Sequence, residues 1–150
     1  MANIFKEFSE EKYTTPKVVE EVVNKGKSAG APDAFIAEKL IQESIIKVKE
    51  PQNVDFINLL SRIPDLHLAE IHVLALAKEL NGIAIVDENI AREVARIYNI
   101  QTHGTAYLLL RLLYRRKLSK KQAKKAIDRM VSAGWRLTAE EYAKLTKELE

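Results

Sequence analysis

The chain has 150 residues, 47% hydrophobic and 30% charged, which suits one globular domain with a buried core and argues against disorder. It has no cysteine, so disulfide frameworks and thiolate metal sites are excluded and a reducing cytoplasm is expected. No apolar run approaches the length of a membrane span and no basic-then-apolar leader precedes the chain, so no membrane association is expected.

Residues 1–8, MANIFKEF, begin in an apolar segment with no strand before it. Thr15-Pro16 predicts a helix entry, with Thr15 as cap and proline at the first helical position. Val18, Val19, Val22 and Val23 are expected to form its buried stripe, and Lys25-Gly26 to end it. A second helix is predicted from Pro32 to about Glu43, with Phe35, Ile36, Leu40 and Ile41 facing inward. The alternating run 44–50, SIIKVKE, predicts a strand stopped at Pro51.

A short helix follows from Val54 to Arg62, broken by Pro64-Asp65. The next helix places Ile71, Leu74, Ala75 and Leu80 toward a core and stops at Asn81-Gly82. Ile83-Ala84-Ile85-Val86 is apolar without alternation, which predicts a parallel strand covered on both faces. Helix 89–98 is expected to bury Ile90, Ala91, Val94, Ala95 and Ile97 and to leave at Asn99. A further short strand is predicted at 100–102.

The remainder is helical: Ala106–Arg116, then Ser119–Ala133 and Thr138–Leu149, the last two opened by Ser119…Gln122 and Thr138…Glu141 capping boxes. Helices alternating with short parallel strands, then a helical tail, predict an α/β layered fold in a single domain over 1–150.

The candidate chemistry is acidic. In α/β sheets sites form beyond the carboxyl ends of strands, and Asp87 follows Val86 at that place. Glu20, Glu21, Glu70 and Glu88 also stand near element ends. Carboxylates gathered there suit a hard dication that takes oxygen ligands, water and a substrate phosphate. Each has a plainer reading. Glu70 suits the positive start of its own helix, Asp87 suits a cap, and most acids lie on solvated faces. His67, His72 and His103 lack the spacing of a helical zinc pair and read as structural or surface residues. Trp135 reads as a packing anchor.

The net charge of +3 is uneven, with Arg111, Arg115, Arg116, Lys117, Lys120, Lys121, Lys124 and Lys125 close together. Such a cluster either neutralises phosphates or is an ordinary solvated helix face.

TPKVVEEV (15–22), LHLAEIHVLALAKEL (66–80) and IAIVDENIAREVARIYNIQTHGT (83–105) together resemble the successive blocks of a PIN domain. The continuation GTAYLLLRLLYRRKL (104–118) and the tail 126–149 are similar to the PIN-like proteins grouped with VapC-type toxins. The first two blocks are also similar to the PIN domain of the endonuclease that matures small-subunit ribosomal RNA.

The resemblance implies a PIN-like α/β fold with a helical C-terminal extension over 119–150. It also implies endoribonuclease activity dependent on Mg²⁺ or Mn²⁺, and RNA, an antitoxin protein and a second copy of the chain as partners. Carried over by motif, Glu21, Glu70 and Asp87 are the catalytic acids and, with Glu88, the metal ligands. Glu20 is the neighbour of Glu21, and Thr105 is the small polar residue near the site. Arg111, Arg115, Arg116, Lys120 and Lys124 would then contact RNA. One element departs from the pattern. The family opens with a strand ending in an aspartate, and here Met1 falls where that acid is expected. Either the natural start lies upstream, or this is a PIN scaffold with weakened or lost catalysis.

Overall fold

The computed structural model describes residues 2–150, with the side chains of residues 4–150; Met1, where the missing acid was expected, lies outside the described residues. The chain divides into two compact units, residues 2–103 and the helical residues 104–150.

In the first unit a 3₁₀ segment, Ala2–Glu7, precedes strand β1, Tyr13–Thr14. Thr15 caps the next helix as its sequence implies: its backbone is extended, its hydroxyl accepts the Val18 N–H, and Pro16 takes the first position. This helix, α1 (residues 16–28), is α-helical over Pro16–Val19, widens to a π-helix over Glu20–Lys25 and returns to α-helix over Gly26–Ser28. The expected stop at Gly26 is therefore corrected. Gly26 lies inside the helix because α2, Pro32–Gln42, passes against it. A methyl group there would stand 2.9 Å from the Ala34 Cβ.

The helix closes instead at Gly30 (φ 73°), where the Gly30 N–H bonds the Lys27 carbonyl and the Ala31 N–H the Gly26 carbonyl. The same two-bond closure, with a left-handed residue after the last turn, recurs at Ser44, Asn81, Asn99, Arg116 and Gly134. The predicted inward faces of α1 and α2 are also corrected. Val23, Ala34 and Leu40 are buried, whereas Val22, Phe35 and Ile36 are exposed. An apolar stripe wider than its neighbour leaves its margins in water.

Strand β2 is only Lys47–Val48 of the expected 44–50 run and pairs parallel with β1. Helix α3, Val54–Leu60, is capped by the Asn53 side chain, which accepts the Phe56 N–H. One Glu79 oxygen accepts the N–H groups of both Gln52 and Asn53, at 2.6 and 2.7 Å, tying this entry to the end of helix α4, Leu68–Glu79.

Strand β3, Ile83–Ile85, pairs parallel with β4, Gln101–His103, and helix α5, Asn89–Ile97, connects them. The core of the unit is built from Phe56, Leu60, Ile71, Leu74, Ala75, Ala84, Val86, Ala91, Val94, Ala95 and Ile100. Phe56 meets Tyr98 edge-to-face at 5.1 Å. Coverage of β3 on both faces is corrected: Ala84 is buried, but Ile83 and Ile85 are 42% and 38% exposed. Ile90 and Ile97 are exposed as well. The short parallel strands are paired as expected and form two separate two-stranded sheets among the described residues.

The second unit is three mutually contacting helices: α6, Thr105–Tyr114; α7, Lys120–Ser132; and α8, Ala139–Leu149. Ser119 and Thr138 cap α7 and α8 reciprocally with Gln122 and Glu141, as the sequence predicts. Leu109, Leu112, Ala123, Ile127 and Leu145 are its buried apolar residues. No helix among the described residues is long and apolar enough to cross a membrane.

Candidate functional site

Asp87 stands where a βα unit places chemistry, one residue beyond buried Val86 at the carboxyl end of the β3–β4 pair. Its side chain is 36% exposed, and Arg92, from the first turn of α5, comes within 3.5 Å of its carboxylate. The Arg92 Nε also donates to the Val86 carbonyl at 2.9 Å, which holds the guanidinium over the strand end. Asp87 is not the cap of α5. That position belongs to Glu88, whose exposed side chain makes no cap bond.

Glu70 occupies the third position of α4, and its carboxylate accepts the His67 N–H at 3.0 Å. It thereby satisfies one of the donors left open at a helix start and sits at the positive end of the helix dipole. Glu20 and Glu21 are exposed on the π segment of α1, and Glu20 pairs with Lys17 at 3.6 Å. A π segment widens the helix by one residue per turn and is frequent at functional sites. Helices α1 and α4 contact one another, so Glu21 and Glu70 lie on neighbouring elements.

These acids do not form a finished metal site. Among the described residues no group of three or more His, Asp or Glu side chains stands close enough to hold an ion. Glu21, Glu70, Asp87 and Glu88 are thus not gathered into one such group, and the Arg92 guanidinium lies beside the Asp87 carboxylate. The signal for Arg92 was present in the DENIAR run. The reach of its guanidinium back to the strand end was not.

Of the three histidines read as structural or surface residues, His72 is the buried one. It is buried on α4, its Nδ1 has no partner, and burial pushes its pKa down while Glu50 raises and Lys17 further lowers it.

Thr105 and the basic residues belong to the second unit. Thr105 opens α6. Arg111 lies 5.9 Å from the centre of the Tyr107 ring. Arg115 and Arg116 end α6, and Lys120 and Lys124 are exposed on α7.

The sequence matches a PIN-domain family, DUF3368, over residues 2–150. It is also 31% identical over 102 residues to Endoribonuclease Nob1 of Methanocaldococcus jannaschii. That match covers 65% of this chain and 47% of the relative, so the chain spans about half the length of the curated protein it resembles.

Proposed function

Because the chain belongs to the PIN-domain family, we propose that it is a toxin-like endoribonuclease acting on RNA, with cleavage weakened in this chain. The observation that carries this reading is the position of Asp87, half-exposed just beyond the carboxyl end of a parallel strand pair. Glu21 and Glu70, on the contacting helices α1 and α4, are the further acids assigned to the site, with Glu88 beside Asp87. Too few carboxylates converge to hold Mg²⁺ or Mn²⁺ firmly, because charge count and ligand number set the affinity for a hard dication. An acid from a strand upstream would complete the set. The basic residues Arg111, Arg115, Arg116, Lys120 and Lys124 attract the RNA backbone. A second copy of the chain and an antitoxin peptide are the proposed protein partners, in the cytoplasm. Exposed Phe35 and Ile36 on α2 give such contacts an apolar surface.

A second reading has its own observation. Arg92 on the Asp87 carboxylate, with no three-acid group among the described residues, favours a non-catalytic RNA- or protein-binding PIN scaffold. Calorimetry with Mn²⁺, together with RNA cleavage assays, separates the two on this chain and on a version extended upstream to include any encoded strand and aspartate. The nuclease reading expects tight binding and cleavage in the extended version, both abolished by Asp87→Asn. If neither version binds Mn²⁺ or cuts RNA, the nuclease reading fails and the binding scaffold stands.

A further inference from the structure

The two units differ sharply in charge. Residues 104–150 carry twelve Lys and Arg against five Asp and Glu, a net +7, whereas residues 1–103 carry a net −4. No acidic residue occurs between Glu93 and Asp128. Within the second unit, α7 buries Ala123 and Ile127 and leaves Lys120, Lys121, Lys124 and Lys125 exposed.

At the junction of α6 and α7 this charge borders a cleft lined by Tyr114, Arg116, Lys117, Lys120 and, as its one acid, Glu148. Tyr114 is 65% exposed, yet its hydroxyl is hydrogen-bonded to Glu148. The ring is thus anchored at its tip while most of its surface faces solvent. Arg116 adopts the left-handed conformation that closes α6 (φ 55°), where glycine would be less strained. The Ser119 and Gln122 N–H groups at the start of α7 are bonded within the capping box.

Cations track a phosphate backbone, and an exposed aromatic ring stacks on an unpaired base. Duplex RNA keeps its base faces stacked inside the helix and offers nothing to such a ring. We propose that this cleft, wholly within residues 104–150, is a binding site for single-stranded RNA. Arg116, Lys117 and Lys120 hold consecutive phosphates and Tyr114 stacks on a base. The proposal rests on RNA as the substrate class and names the surface that grips the strand.

The test is fluorescence anisotropy with a labelled single-stranded oligouridylate on the full chain, in EDTA so that no strand is cut. Arg116→Glu/Lys117→Glu/Lys120→Glu is expected to weaken binding at least tenfold. It should also flatten the dependence of log K on log salt by about 2, at about 0.7 per lost phosphate contact. The charge-matched change Lys39→Glu/Lys49→Glu/Arg62→Glu should leave that slope nearly unchanged. Tyr114→Leu should weaken binding roughly tenfold, while Tyr114→Phe, which keeps the ring, binds as the parent does. Should the reversed triple lose its circular-dichroism signature, Arg116→Gln/Lys117→Gln/Lys120→Gln replaces it.

The proposal is overturned if the cleft triple keeps the parent affinity and slope, if the control triple loses as much, or if duplex RNA of equal length binds as tightly. Asp87→Asn should bind RNA normally in EDTA. Loss of cleavage and loss of grip are therefore separate results, and either reading can fail without the other.

Discussion

Gly26 offers a direct check on the packing of α1 against α2. Gly26→Ala adds one methyl group to a helix interior, where alanine is favoured over glycine by about 1 kcal/mol. On helix preference alone the substitution should stabilise. The structure predicts the opposite sign. The new Cβ would lie 2.9 Å from the Ala34 Cβ, well inside the 3.5–4.0 Å at which carbon atoms attract. Ala34 is fully buried, and its Cβ is fixed to the backbone with nothing to rotate away. Overpacking of this kind costs about 1–3 kcal/mol, which outweighs or cancels the propensity gain and leaves a net loss on the order of 1 kcal/mol. In a chain of this length that corresponds to a fall in Tm of about 2–4 °C. Urea and thermal unfolding of the parent, Gly26→Ala, Ala34→Gly and the double variant form a complete cycle. The double variant, which has no Ala34 Cβ, should relieve the clash, giving a favourable coupling of about 1–3 kcal/mol. A Gly26→Ala protein more stable than the parent, with a double variant that is simply additive, would refute the close helix contact.

Other outcomes follow from features already described. His72→Leu removes a buried nitrogen that lacks a partner, and each such group costs about 1–3 kcal/mol, so the variant should equal or exceed the parent in stability. Because burial lowers the folded pKa of His72 below 6.5, the unfolded state binds more protons as pH falls from 6.5 to that lowered value. The parent therefore loses stability across that window, and His72→Leu should lose less of it in urea titrations at pH 7 and pH 5. Glu79→Ala frees the N–H groups of Gln52 and Asn53, and a loss of about 1 kcal/mol is expected for these exposed bonds. Arg116→Gly relieves a left-handed arginine and should raise stability by up to about 1 kcal/mol, while weakening oligouridylate binding in the same preparation.

Much of this architecture is written locally. Thr15-Pro16, Ser119…Gln122 and Thr138…Glu141 each carry their cap within four residues, so the helix starts follow from the sequence directly. Two short strands either side of a helix were likewise legible, at 83–86 and 100–102, and the structure pairs 83–85 with 101–103 in parallel. The order of the sequence blocks was enough to indicate the family. What failed was information that belongs to neighbours. Gly26 reads as a stop until α2 is placed beside it. Phe35, Ile36, Ile90 and Ile97 read as core because an apolar residue does not say whether anything covers it. The acids suffered the same way. Glu70 and Asp87 fall at the expected element ends, but their hydrogen bond to His67 and ion pair with Arg92 are facts of three-dimensional reach.

The repeated two-bond closure of the helices also bears on how this chain tolerates change. A helix end completed by its own last turn needs no neighbouring element to satisfy its carbonyl groups. The connections just beyond Gly30 and Gly134 can therefore lengthen without unravelling the helices they leave. Such joints are natural places for a fused reporter or an inserted loop, and an insertion after Gly134 would lengthen the C-terminal helical unit while leaving the fold of residues 2–103 untouched.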